Sequence, residues 1–283
     1  MNYQPKSLVS CIVTTKNRAS FFLNRAINSI LNQTYQNIEL IIINDASNDN
    51  TKSFLEKISN EKPRINHFSL DESRGPQFCR NQGIKLANGN YIAFLDDDDE
   101  WLPKKIEKQI NLADTYSMVS CPANILSEKG SKKQNIKFSD KLVYNFEDIF
   151  NSTRYFYPSG ILMKRKHAES CGGFNIELQE WDYFLKVVKN HGPAVVIDEH
   201  LVNFDRNENV NRLSNESYHH DLELIIYNKY KKNVRLKNRI YRIMNIHRGR
   251  YLKEHSSIRS FYSYLLFKFY KYVNIIFTKL EKI

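Results

Sequence analysis

The first 120 positions alternate between two hydrophobic periods. Short, near-continuous apolar runs rich in β-branched residues fall at Leu8–Val13, Ile38–Ile43, Ile65–Phe68, Tyr91–Leu95 and Met118–Cys121. Between them lie Phe22–Leu31, Thr51–Ile58, Phe78–Ala87 and Lys104–Ala113, whose apolar residues recur every three to four positions. Runs of the first kind predict strands buried on both faces, and those of the second predict amphipathic helices. Strands alternating with helices imply βαβ units, hence an α/β fold with a mainly parallel sheet flanked by helices.

The pattern then changes. Residues 122–160 are polar and rich in Lys, Asn and Ser before an aromatic stretch, Tyr155-Phe-Tyr-Pro158, which reads as a surface excursion ending at a cleft. Ile161–Lys164 predicts another strand, Trp181–Lys189 a helix, and residues 195–215 a return to the sheet followed by a polar loop. From Tyr218 the chain is helical in pattern. Within Ser260–Ile283, polar positions spaced three to four apart leave a broad aromatic–aliphatic face beside a narrow cationic stripe. The expected organisation is a catalytic domain over 1–217, with halves 1–121 and 122–217, and a basic helical region over 218–283.

Charge sharpens that division. The 283 residues carry a formal +11, yet residues 229–283 hold 15 basic and 2 acidic side chains, so the body is near neutral. A basic tail of this kind seeks phosphate, on lipid headgroups or nucleic acid. Its continuous apolar face argues for a bilayer surface, since nucleic-acid surfaces intersperse cations with a few stacking aromatics; the alternative is that this helix packs on the catalytic domain or on another subunit. No apolar run of ~18 residues predicts a membrane span, and the N-terminus lacks a secretory pattern. Four scattered cysteines without a CxxC pair read as inert thiols rather than disulfides or zinc ligands.

Candidate chemistry sits at the ends of the predicted strands. In Tyr91-Ile-Ala-Phe-Leu-Asp-Asp-Asp-Asp-Glu-Trp-Leu-Pro103 a buried strand delivers four aspartates to its carboxyl end, where open α/β sheets bind ligands. Four adjacent carboxylates repel unless a hard cation neutralises them; the alternative is a solvated turn that caps the next helix. One βα unit earlier, Leu40-Ile-Ile-Ile-Asn-Asp-Ala-Ser-Asn-Asp49 repeats the arrangement. Asp45 there is placed to accept from a base-edge N–H, whereas Ser47 or Asp49 could equally cap the following helix. Thr14-Thr-Lys-Asn-Arg18 closes the first strand, and Gly172-Gly-Phe-Asn-Ile-Glu-Leu-Gln-Glu-Trp-Asp-Tyr183 carries acids at the start of a helix.

These motifs, with Ser29-Ile-Leu-Asn-Gln-Thr-Tyr35, Arg80-Asn-Gln-Gly-Ile84 and Gly89-Asn-Tyr-Ile-Ala, resemble, in order and over roughly residues 7–205, a family 2 glycosyltransferase. The resemblance implies a GT-A (Rossmann-like) fold and inverting sugar transfer from a nucleotide-sugar, usually a UDP-sugar, with Mn²⁺ or Mg²⁺. By matching position, Thr14 and Asp45 would contact the base, Arg80 the base or diphosphate, Asp96 and Asp97 the ribose, and Asp98 the metal. Glu180 would be the base that deprotonates the acceptor hydroxyl, with Asp182 two residues on. Two departures stand out. The family's Asp-Asp-Gly-Ser is Asn44-Asp45-Ala46-Ser47 here, and four consecutive aspartates leave the metal ligand's register open by one. A late histidine, His219 or His220, is a further metal candidate. Arg206 and Arg212 lie where the family has a segment that closes over the diphosphate. Trp101, Trp181 and Tyr157 either stack on sugars or pack.

A bacterial enzyme of this kind, cytoplasmic and peripheral on the inner face of the membrane, would act on a glycan or lipid-linked acceptor in surface-polysaccharide synthesis such as capsule or lipopolysaccharide. No nucleic-acid partner is expected, and an oligomer is left open. The competing classes are an Mg²⁺-dependent nucleotidyltransferase, although Thr15-Lys-Asn-Arg-Ala-Ser20 lacks the glycines a triphosphate loop needs, and a nucleic-acid-binding protein using the tail.

Overall fold

The computed structural model describes residues 7–19, 21–127, 130–133, 142–152, 155–205, 219–253 and 258–280. The chain divides into two compact units, Met1–Asn145 with Arg154–Val210, and Phe146–Thr153 with Asn211–Ile283.

The first unit is built on an eight-stranded sheet. Strands β1 (Val9–Thr15), β2 (Ile38–Asn44), β3 (Ile65–Ser69) and β4 (Tyr91–Asp96) run parallel in the order β3-β2-β1-β4, linked by α1 (Phe21–Leu31), α2 (Thr51–Glu61) and α3 (Pro76–Leu86). The apolar runs become these strands because both faces are covered. Val9, Cys11, Val13, Leu40, Ile42, Ala93 and Leu95 are buried in one core with Leu23, Ala26, Ile27 and Ile30 of α1. On α3, Gly83 lets the helix close on β1, since a Cβ there would lie 2.4 Å from Ile12 Cγ2.

After β4 come β5 (Asp99–Trp101), α4 (Lys105–Ile110), β6 (Val119–Ser120), β7 (Ala123–Ser127) and β8 (Gly130–Lys133). They are followed by β9 (Val143–Tyr144), α5 (Phe146–Asn151), β10 (Leu162–Lys164), α6 (Arg165–Ser170) and α7 (Glu180–His191), then β11 (Ala194–Val196) and β12 (Val202–Asp205). The main sheet continues from β4 through β10, β6 and β11 to β9, with β10 antiparallel to β4. The remaining strands form a second sheet, β5-β12-β7-β8. The stretch expected as a surface excursion thus supplies strands to both sheets.

The second unit holds α5, α8 (His219–Tyr230), α9 (Leu236–Lys253) and α10 (Ile258–Leu280). Aromatic contacts tie α5 to α8, with Phe146 and Tyr230 rings 5.7 Å apart, and Glu147 binds the Arg235 amide and guanidinium at 2.7 Å each. One face of α10 packs on α9 through Tyr251–Tyr264 and His247–Tyr270. Its other face exposes Phe261, Tyr262, Leu265, Phe269, Tyr272 and Ile275 beside Lys268 and Lys271.

Candidate active site

The register of the parallel strands brings Thr14, Asp45 and Asp96 to one sheet edge. Thr14 is paired with Asp96 across β1 and β4, and the Asp45 amide donates to the Thr15 carbonyl at 2.8 Å. Asn17 and Ala46, both at positive φ (55° and 51°), turn the chain sharply after β1 and β2. The two turns are knitted together, with the Asn17 amide on Ser47 Oγ at 2.8 Å and the Asn48 amide on Asn17 Oδ1 at 2.9 Å. Asp49 accepts from the Thr51 amide at 2.9 Å, so it serves the start of α2. Ala46 occupies the position where the family has Gly, and its left-handed backbone shows why Gly suits it.

Asp45 is buried and already well supplied with donors. Oδ1 accepts from the Arg74 amide at 2.7 Å, and Oδ2 from Ser73 Oγ at 2.8 Å and the Gly75 amide at 3.1 Å. Burial alone would raise its pKa, but these bonds, with one from the Cys79 thiol, hold the carboxyl below its ordinary value. Asp45 therefore shapes the loop at 73–75 as it faces the sheet edge.

The aspartate run at the end of β4 is held one residue at a time. Asp96 accepts from Arg80 at 2.6 Å, and Asp97 Oδ1 lies 3.6 Å from Arg18 Nε. Arg25 of α1 binds the Asp98 carbonyl at 2.6 Å and Asp205, at the end of β12, at 2.9 Å. Asp99 is buried in β5 and accepts from Ser159 Oγ at 2.6 Å. The same Ser159 oxygen accepts the Asp96 amide at 3.1 Å, so one buried hydroxyl staples both ends of the acidic turn. Nothing in the sequence marks Ser159 for this role beyond its place between Pro158 and Gly160.

This turn is short of positive charge. Burial, together with the charges of Asp98 and Asp96, raises Asp97 to about 7 despite the nearby Thr15 hydroxyl and Arg18. A divalent cation here would be favoured by the same repulsion, and carboxylate oxygens are the donors Mn²⁺ and Mg²⁺ accept. Among the described residues no group of three or more His, Cys, Asp or Glu converges on one point.

Glu180 opens α7, half-buried, with Oε1 on Arg80 at 2.9 Å. Arg80 is 4% exposed and bridges Glu180 to Asp96. Burial would lower its pKa, but the two carboxylates push it up and keep it charged. Asp182, in contrast, is fully buried and pairs along the helix with Lys186 at 3.4 Å. Trp101 and Trp181 are buried, and Trp101 Nε1 donates to the Ser159 carbonyl at 2.7 Å. Tyr157 donates to the Cys121 carbonyl at 2.8 Å and packs on Phe204, so all three aromatics serve packing. His219 and His220 begin α8, with side chains outside the described residues, as are Arg206 and Arg212. The four cysteines are free and buried; burial pushes the Cys11 and Cys79 thiols up to about 12.

A mixed sheet with polar residues of three adjacent strands at its carboxyl edge places them where open α/β sheets bind ligands. Residues 10–172 match the model of glycosyl transferase family 2, and the chain belongs to that family. It is 30% identical over 244 residues to an uncharacterized glycosyltransferase of Haemophilus influenzae, covering 86% of this chain and 96% of that one. Over 122 residues it is 38% identical to the UDP-Glc:alpha-D-GlcNAc-diphosphoundecaprenol beta-1,3-glucosyltransferase WfaP of Escherichia coli, covering 43% of this chain and 47% of that one. The fold matches the mannosyltransferase PcManGT from Pyrobaculum calidifontis, solved with GDP-Man and Mn²⁺, at a TM-score of 0.65 and 17% identity, covering 94% of this chain and 83% of that one. The fold is GT-A and the chain is a glycosyltransferase, which separates it from the two competing classes.

Proposed function

We propose that this enzyme moves a sugar, with inversion, from a nucleotide-sugar to a hydroxyl of a glycan or lipid-linked acceptor in bacterial surface-polysaccharide synthesis. The observation that carries this reading is the Glu180–Arg80–Asp96 chain, which links an acid at a helix start to the acidic edge of the sheet. Thr14 and the loop held by Asp45 would border the base, Asp96 and Asp97 the ribose, and Asp98 would hold Mn²⁺ or Mg²⁺. A bound divalent ion would neutralise the departing diphosphate. Glu180 would take the acceptor proton while the acceptor oxygen attacks the anomeric carbon and the bond to the diphosphate breaks. Asp182, shut away with Lys186, would support α7 rather than meet the acceptor.

UDP is the favoured nucleotide, supported by the donor in the name of the Escherichia coli relative; that name also supports a lipid-linked acceptor. Manganese is supported by the ion in the Pyrobaculum calidifontis structure. Among the described residues no helix is long and apolar enough to cross a membrane. The exposed apolar face of α10, flanked by Lys268 and Lys271, suits an interfacial position on the inner leaflet, with anionic lipid contributing about 1 kcal/mol per cation.

Transfer is tested by supplying UDP-sugars to purified enzyme with lipid-diphosphate acceptors and assaying UDP release. Glu180→Gln should cut release by roughly 10²–10⁴-fold, leaving a measurable residue, and undiminished release would remove Glu180 from the chemistry. Deleting residues 256–283 should move the protein from membrane to soluble fraction; unchanged fractionation would end the interfacial reading.

A further inference from the structure

Helix α3 turns three side chains, Gln77, Arg80 and Asn81, toward the segment that presents Glu180. The Asn81 amide grips the Phe174 backbone on both sides, with Oδ1 accepting its N–H at 2.7 Å and Nδ2 donating to its carbonyl at 2.8 Å. Gln77 Nε2 reaches the Leu178 carbonyl at 3.4 Å. The approach is close enough that a Cβ on Gly173, at φ +74°, would lie 2.3 Å from Asn81 Oδ1. Arg80 ends this row, between Asp96 at 2.6 Å and Glu180 at 2.9 Å, with the Phe174 ring 5.6 Å from its guanidinium carbon.

From this geometry we infer that Arg80 is a positioning residue acting through Glu180, and not a contact to the nucleotide. The inference rests on reading Glu180 as the acceptor base. The guanidinium is buried and spends separate nitrogens on two carboxylates, so little of its planar fork remains for a diphosphate. With Oε1 of Glu180 fixed by Arg80, Oε2 is the oxygen that faces the acceptor proton. Because Arg80 also holds Asp96, the base is registered against the donor side of the site. A misplacement of about 1 Å between such groups costs on the order of 100-fold in rate. Lysine offers one point charge in place of the fork and would restore only part of the geometry.

The test uses the full chain as wild type, Arg80→Met, Arg80→Lys, Glu180→Gln and the double variant Arg80→Met/Glu180→Gln. UDP affinity in Mn²⁺, kcat, KM and urea denaturation are measured for each. Arg80→Met should lose roughly 100-fold in kcat with UDP affinity falling by less than about tenfold, the part that passes through Asp96 at the ribose, and Arg80→Lys should recover part of the kcat loss. The double variant should be no slower than Glu180→Gln alone, because groups acting as a unit are not additive. A tenfold or greater loss of UDP affinity in Arg80→Met, or losses that multiply in the double variant, would overturn the proposal. If no sugar nucleotide turns over even in wild type, the base reading fails. The positioning proposal then falls with it, and denaturation separates the two failures: non-additivity of about tenfold in the folding equilibrium constant leaves Arg80–Glu180 as a structural pair, and strict additivity removes the coupling altogether. Should Arg80→Met not fold, Arg80→Lys replaces it in the same cycle.

Discussion

Ser159→Ala removes a single oxygen from the interior, and its cost follows from what that oxygen does. The hydroxyl donates at 2.6 Å to the buried Asp99 carboxylate and accepts the Asp96 amide at 3.1 Å. A hydrogen bond to a charged group contributes about 1.5–3 kcal/mol, and an amide left without a partner costs about 1–3 kcal/mol where water is excluded. Asp96 lies at a half-buried turn, so its amide regains some solvent and the lower end of that range applies. The sum is about 3 kcal/mol, out of a total stability on the order of 10 kcal/mol. At about 2–4 °C per kcal/mol for a chain of this size, Tm should fall by roughly 6–12 °C. Ser159→Cys, which keeps a weak donor, should fall less. The assay is thermal denaturation followed by circular dichroism, with Mn²⁺ titrated in parallel because the staple sets the spacing of Asp96 to Asp99. A Ser159→Ala protein within 0.5 kcal/mol of wild type would refute the claim that this hydroxyl holds the acidic turn.

Two other substitutions probe the same core. Ala46→Gly relieves a left-handed backbone at φ 51° and should stabilise the protein by about 1 kcal/mol; an unchanged or lower urea midpoint would contradict this. Lys105 is fully buried over the Trp101 ring at 4.1 Å with Nζ on Gln109 at 2.7 Å, and burial lowers its pKa from 10.5 to about 8. Between these values the unfolded chain binds a proton that the folded one does not, so this group adds stability as pH rises from 8 to 10.5, by about 3 kcal/mol in total. Below pH 8 the penalty of the buried charge is fully present. Urea denaturation of wild type and Lys105→Met at pH 7.5 and 10 should show wild type gaining on the variant at the higher pH, and parallel behaviour would contradict the assignment.

The strands and helices of the first half were legible because each buries a whole face locally. Ile41-Ile-Ile43 reads as a strand covered on both sides, and Leu23, Ala26, Ile27 and Ile30 recur at helical spacing. The second sheet was not legible. Asp99–Trp101 and Val202–Asp205 are three and four residues long, and their pairing joins positions about a hundred residues apart. The aspartate run is legible from its position after a buried strand, but the partners that give each aspartate a different surrounding, Arg80, Arg18, Arg25 and Ser159, lie far from it in the sequence. Arg80 is legible by motif, but nothing local shows that Glu180 closes on it from a hundred residues away. Lys105, a residue type normally left in water, gives no sign in the sequence of its burial.

The central claim is that the sheet edge binds a sugar nucleotide with the help of a divalent ion on the aspartate turn. Calorimetric titration of wild type and Asp98→Ala with UDP-sugars, with and without Mn²⁺, tests it most directly, with dTDP-, GDP- and CMP-sugars as comparisons. The account predicts binding to wild type that requires Mn²⁺ and is lost in Asp98→Ala. Absence of binding to every sugar nucleotide, or binding indifferent to both Mn²⁺ and Asp98, would contradict it.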